Sequence, residues 1–190
     1  MAYSKVSIPK FEAGAGAPAP KEPNIVFVLA KDVLAIPSKN GVVSTSDLTL
    51  KVGATAMAIY INPISIARND NQDGDGNAET AGWISNFSGT RPGSDEHFDA
   101  WKQEHVNEGM LVISKECGES KGTRLQGTPC NPLFFSGVEE QDNNEGKMTT
   151  LTLVQGQRTK NKMIHYRGAI PTLAAEATIV DGSGSAGAGV

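Results

Sequence analysis

His97, His105 and His165, together with Cys117 and Cys130, are the side chains of this 190-residue chain best suited to hold a transition metal. Zinc sites draw on close-set pairs, as in C-x-x-C or two histidines four apart on one helix face. The two nearer histidines are instead eight positions apart and the cysteines thirteen. The pattern reads as helix-surface histidines and small semi-buried thiols. A bridge between Cys117 and Cys130 is the alternative that neighbouring antiparallel strands would allow.

Residues 69–79, Asn-Asp-Asn-Gln-Asp-Gly-Asp-Gly-Asn-Ala-Glu, carry the oxygen ligands of a calcium loop. An EF-hand needs glycine at its sixth position and a bidentate glutamate at its twelfth. Counting from Asn69 puts Gly74 correctly but Thr80 last; counting from Asp73 gives Ala78 and Ile84. The stretch therefore reads as the solvated tip of a hairpin, since Asn, Asp and Gly are what turns use. Gly118-Glu119-Ser120-Lys121-Gly122-Thr123 has the letters of G-x-S-x-G, but it reads as a turn, without the following helix that a nucleophile elbow or a phosphate loop needs and without the glycine spacing of the latter. Glu139, Glu140, Asp142 and Glu145 are a carboxylate cluster in a polar turn, where all should stay ionised. We expect no catalytic residue, metal or cofactor.

These candidates must be placed by a β-rich body with one helix. Ser94 to Glu108 is the long helical pattern: Ser94 is positioned to cap it, Asp95, Glu96 and Asp99 sit near its positive end, and Gly109 closes it. Phe98, Trp101 and His105 form a narrow stripe to pack on a sheet, leaving Asp99, Lys102, Gln103 and Asn107 to water. Strand patterns occur at 24–30, 33–37, 48–52, 56–61, 80–89, 110–114, 123–127, 132–138, 147–155 and 162–168, with a weaker one at 174–180. Turns are expected at 117–122 and 139–146. About eight to ten strands with one flanking helix indicate a mainly β fold, an antiparallel sandwich or barrel. The strand, helix and strand from Thr80 to Ser114 are expected to pack consecutively.

Composition agrees. With 38% apolar and 20% charged residues, 21 glycines and 10 prolines, the chain suits strands and turns. A net charge of −4 without a dense basic run argues against a surface that grips nucleic acid. No apolar stretch is long enough for a membrane span, and the N-terminus lacks a signal-peptide layout, so folding in a cytoplasm is expected. Two cysteines are too few for a secreted disulfide scaffold. The expected organisation is a Gly/Ala/Pro-containing arm over 1–23, a β domain over 24–180 and a Gly/Ser/Ala tail over 181–190. Val6, Ile8 and Phe11 are anchors by which the arm would dock elsewhere than on its own domain.

Gly82-Trp83-Ile84-Ser85-Asn86-Phe87, Arg91-Pro92-Gly93-Ser94-Asp95-Glu96, the helix and Met110-Leu111-Val112-Ile113 follow one another in a characteristic order. Cys117-Gly118, then Gly127-Thr128-Pro129-Cys130-Asn131-Pro132-Leu133, and Asp142 to Leu153 with Gln155 continue it. In this order, across a little under half the chain, the sequence resembles the tail tube proteins of long-tailed bacteriophages, those of phages infecting Bacteroidetes in particular. The resemblance implies a β-sandwich or barrel with one flanking helix, in hexameric rings that stack into a tube through which DNA leaves the capsid. It also implies that the chain's partners are its own copies, other tail proteins and passing double-stranded DNA, without a membrane, and that it resides in the virion tail after assembly in the host cytoplasm. The long arm and glycine-rich tail depart from a minimal tube protein.

Candidate contacts between copies are Val6, Ile8 and Phe11 in the arm, Asp73 and Asp75 in the first polar loop, and Glu139, Glu140, Asp142 and Glu145 in the second. The competing readings are a head decoration or tail terminator protein, and a calcium- or carbohydrate-binding β module, which calcium would stabilise against heat. If the arm bridges rings, deleting residues 1–20 should abolish long tubes in negative-stain micrographs; full-length tubes from the deleted chain would remove that role.

Overall fold

The computed structural model describes residues 19–73, 79, 81–93 and 95–176, with 73 and 119–121 described by their backbone alone. The first strand, β1 (Asn24–Leu29), is followed by four short ones, β2 (Val33–Ala35), β3 (Lys39–Asn40), β4 (Val43–Ser44) and β5 (Thr49–Leu50). Next come β6 (Met57–Tyr60), β7 (Ala67–Asp73) and the long β8 (Gly82–Pro92), which leads into helix α1 (Glu96–His105). After the helix run β9 (Met110–Glu116), β10 (Glu119–Gln126), β11 (Leu133–Asn143), β12 (Gly146–Gln155) and β13 (Ile164–His165). The fold is mainly β and sandwich-like, as the strand patterns indicate, and its sheet does not close into a barrel. Strands outnumber the expected eight to ten because β2 to β5 and β13 are pairings of only two or three residues.

Two layers emerge from the pairing. One carries β3, β4, β13, β10, β9, β1 and β6 in that order, and the other carries β11, β12, β8 and β7. They join at the single pair Met110 and Leu133. All pairs of these strands are antiparallel except the contact of His165 in β13 with Val43 in β4, which is parallel, as is an isolated bridge between Ala56 and Leu173. Strands β8 and β9, expected to pack consecutively around the helix, are separated by the β11–β12 hairpin.

Strands β1 and β9 pair with each other, Phe27 opposite Val112 and Val28 opposite Leu111, and both are buried on both faces. That is why each reads as an unbroken apolar run rather than an alternating one. Ile25, Phe27, Met110 and Val112 point between the layers, where Phe87, Leu151 and Leu153 meet them from β8 and β12. Val26, Val28, Leu111 and Ile113 point the other way, onto Leu48, Ala56, Leu125 and Tyr166. The Tyr166 hydroxyl accepts from Leu48 N–H (3.0 Å) and donates to Ala169 O (2.6 Å), which satisfies its polar end inside this second cluster. Gly89 on β8 lies where a Cβ would come within 2.5 Å of Ile61 Cγ2, so the close approach of that chain to the layer requires glycine.

The helix closes the flank between β6 and β11. Trp101 packs on Phe27 (5.3 Å between ring centroids) and edge-on to Phe135 (5.6 Å), stacks against Phe98 and His105, and donates its indole N–H to Met57 Sδ (3.2 Å). The expected stripe is therefore the buried face. Its bounds are shorter than 94–108, and the cap is Asp95, whose Oδ1 accepts from Phe98 N–H at 2.9 Å; Ser94 lies outside the described residues. Lys102 corrects a second expectation: it is buried rather than facing water, with its ammonium over the Phe98 ring and in ion pairs with Asp99 and Glu140.

Two expected turns also prove shorter. The turn over 117–122 occupies only Cys117 and Gly118, with β10 resuming at once, and the turn over 139–146 occupies only Asn144 and Glu145. Between these limits β11 and β12 stay paired residue by residue from Val138–Leu151 out to Asn143–Gly146. Likewise residues 69–73, assigned to a hairpin tip, continue β7 alongside β8; residues 74–78 lie outside the described residues. The strand expected at 162–168 contracts to Ile164 and His165.

Burial pushes the Asp95 carboxyl upward in pKa, but hydrogen bonds from Arg91 and from Phe98 N–H outweigh it, and the folded value lies below the ordinary one. A depressed carboxyl contributes stability that is present above its unfolded pKa and lost as pH falls through its folded one. Asp95→Ala should therefore cost about 0.5–2 kcal/mol at neutral pH in urea unfolding. The gap from the parent should narrow steadily below about pH 4; a gap independent of pH would separate the cap from its charge.

Candidate functional site

Strand β6 has one bonded edge and one open one. On the inner edge Ile59 lies opposite Ile25, Met57 opposite Phe27, and Ile61 N–H donates to Pro23 O at 2.8 Å. Because polar groups of an antiparallel strand alternate between its two edges, those of Ala56, Ala58, Tyr60 and Asn62 face outward. The ends of this outer edge are occupied. Ala56 N–H donates to Thr172 O (2.9 Å) and its carbonyl accepts from Ala174 N–H (2.8 Å), while Asn62 N–H donates to Thr90 O (2.8 Å). Between them the Ala58 amide and the Tyr60 N–H have no hydrogen-bond partner among the described residues, and Tyr60 O has only a 3.5 Å contact from Arg91 Nη1.

A groove of about 870 Å³ runs along this edge. Its walls are Met57 to Tyr60, the helix residues Phe98 and Trp101, and the segment from Ile170 to Glu176. Part of its charged rim is paired: Arg91 with Asp95 (2.6 Å), lying over the Phe98 ring, and Lys115 with Glu22 (2.8 Å); His97 and Glu176 line it as well. Such a groove selects by backbone hydrogen bonding and apolar fit, the recognition mode of strand addition.

The sequence-predicted contact residues are not gathered here. Val6, Ile8, Phe11 and Asp75 lie outside the described residues, and Asp73 ends β7 opposite Gly82. Glu139, Glu140 and Asp142 lie on β11 and Glu145 in its turn, near the Pro92 end of β8. Asp73 and the carboxylates of the β11 hairpin thus lie near opposite ends of β8, which are roughly 33 Å apart at strand rise. Nor do the carboxylates form one uniform negative ring: Glu140 pairs with Lys102 and Asp142 with Lys147 (3.1 Å), leaving Glu139 and Glu145 exposed beside them. Desolvation presses the Lys102 pKa down, but Asp99 and Glu140 more than compensate, so its charge is secured. Cys117 and Cys130 are exposed free thiols, and among the described residues no group of three or more His, Cys, Asp or Glu could hold a metal. Among them, too, no helix is long and apolar enough to cross a membrane.

A polar cluster that sequence reasoning missed fills the other end of the space between the layers. Arg68 on β7 pairs with Glu116 and donates to Gly122 O (2.9 Å) and Ser114 O (3.3 Å), and Arg124 on β10 meets His165 Nδ1. With Asp70 and Lys162 they line a recess of about 390 Å³. Burial lowers the pKa of both guanidinium groups, opposed in each case by the Glu116 carboxylate. The signal that could have located Arg68 is its phase: it is two residues beyond buried Ile66 and shares that inward face. Comparison with family models, curated proteins and solved structures finds no match.

Removing one partner of a partly buried ion pair leaves the other charge poorly compensated. Glu116→Gln should destabilise the fold by about 1–3 kcal/mol, read as a lower urea midpoint at unchanged slope. Adding Arg68→Met to Glu116→Leu should recover most of that loss. Equal losses in the single and double variants would show that packing, rather than charge, decides this end.

Proposed function

We propose that the chain is a tail tube subunit of a long-tailed bacteriophage, a structural rather than catalytic protein that assembles with its own copies into rings and stacks the rings into a conduit for DNA. The observation that carries this reading is the open outer edge of β6 beside its apolar groove. An exposed edge is a template for another strand, and a closed ring of identical subunits leaves no such edge uncovered. The succession of residues from Gly82 to Ile170 that resembles tail tube proteins suggests the particular assembly.

On this reading the subunit sits in the virion tail, its partners are itself and other tail proteins, and double-stranded DNA passes without specific binding. A chain of net charge −4, with Glu139 and Glu145 exposed on its long hairpin, suits a wall from which phosphates must slide away.

Electron microscopy of the purified protein across a concentration series should show rings or tubes appearing as concentration rises. Ala58→Pro removes an outward N–H without touching the β1 ladder, and proline is tolerated at such edges. This variant should keep the parent's circular dichroism and lose assembly. A parent chain that stays monomeric at high concentration in virion-like salt, or an Ala58→Pro variant that assembles as well as the parent, would overturn the proposal.

A further inference from the structure

One layer ends at β7, the other runs through β10 and β13, and side chains reach across the seam between them. Arg68 donates to Gly122 O at 2.9 Å, and Asp70 Oδ2 accepts from Met163 N–H at 2.9 Å. The recess of about 390 Å³ lies in this seam, where Arg68, Arg124 and Lys162 line it with Asp70 as the one carboxylate among its described residues. We propose that the recess binds a phosphate group, held by Arg124 and Lys162 at its mouth with Arg68 at its base. Nothing in this depends on the assembly reading above.

Charge is unevenly matched there. Glu116 is taken up by Arg68, and both oxygens of Asp70 are engaged, Oδ1 by the Ser85 hydroxyl and Oδ2 by the Met163 amide. Arg124 forms no ion pair among the described residues. One of its amino groups meets His165 Nδ1, and because a guanidinium can only donate, that nitrogen accepts as part of a neutral ring. Lys162 has no carboxylate partner among the described residues either, its ammonium lying 4.4 Å from the centre of the Trp83 ring. Three cations thus stand against two carboxylates that are already engaged, which leaves one positive charge in excess. Burial lowers the pKa of both guanidinium groups, so an arriving anion relieves a cost that the fold already carries.

The donors suit a phosphate in kind as well as in charge. A guanidinium presents paired N–H groups at the spacing of two phosphate oxygens, and a lysine ammonium adds a point charge for a third. Arg124 stands on β10 and Lys162 on the segment that leads into β13, so a phosphate between them joins two parts of the same wall. The volume is near the lower end of those that small ligands occupy, which leaves room beside the four oxygens for water or a short organic group. The phosphate is therefore either free or carried by a small ester.

Isothermal titration of the full chain with inorganic phosphate, with chloride holding the ionic strength constant, should show saturable binding at one site per chain. Acetate should bind about tenfold more weakly, since it carries less charge and cannot reach both cations at once. Lys162→Gln, at an exposed position, should keep the parent's circular dichroism and weaken phosphate binding about tenfold, as the loss of one charge-assisted hydrogen bond implies. Arg124→Gln should weaken it further. Lys160→Gln removes the same charge from an exposed position that does not line the recess, and it should leave binding unchanged. No saturable binding, acetate binding as tightly as phosphate, or equal losses from Lys160→Gln and Lys162→Gln overturns the proposal. Glycerol phosphate separates the two sources: binding tighter than inorganic phosphate assigns the site to an ester, and weaker binding assigns it to the free ion.

Discussion

The burial of β1 and β9 on both faces is the constraint from which the rest of the molecule follows. A strand pair with one wet face needs a single cover; this one needs two. The β11–β12–β8–β7 layer and the helix supply the first, around Phe27, Phe87 and Trp101. The segment between Val33 and Ala56, with β10 and Tyr166, supplies the second. Each cover brings an open margin with it. The inner cover ends in the polar cluster around Arg68, and the layer containing β1 ends at β6. The molecule's edges are thus by-products of how its centre is buried.

Charge is used sparingly and mostly in pairs. Lys102 holds the helix to the β11 hairpin through Glu140, Arg91 holds the helix start to the end of β8 through Asp95, and Arg68 ties one layer to the other through Glu116. In each case the cation also lies against apolar or backbone groups, which is the geometry in which long basic side chains contribute packing as well as charge. Two such neutral pairs, Arg91 with Asp95 and Lys115 with Glu22, stand on the rim of the β6 groove, whose floor is apolar and backbone.

Much of the architecture was legible in the residues. The apolar runs Ile25–Val28 and Met110–Ile113 announced strands buried on both sides, and Phe98 with Trp101 announced the packed face of the helix. What escaped has physical causes. Glu139 to Asn143 belong to a strand through backbone pairing with Gly146 to Thr150, on a hairpin arm whose exposed faces carry no apolar alternation to betray it. Lys102 looked solvated because helical phase alone does not reveal that Glu140, on a distant strand, waits beside it. The cap is Asp95, where a carboxylate also pairs with Arg91, four residues earlier at the end of β8. The β6 edge is invisible to any local pattern, since what leaves it open is the path of segments more than a hundred residues later.

The pairing of β1 with β9 also governs how the chain can be made. Ile25 to Leu29 are translated long before Met110 to Ile113, and a ribosome adding ~5–20 residues per second needs on the order of ten seconds to supply the second strand after the first. Throughout that interval one of the most apolar segments of the protein has only β6 to pair with, and β6 covers neither of its faces. Until β9 arrives, the apolar side chains of β1 therefore have no cover from their final partner strand. The doubly buried centre is thus a late event in the synthesis of the chain, whatever the stability of the finished fold.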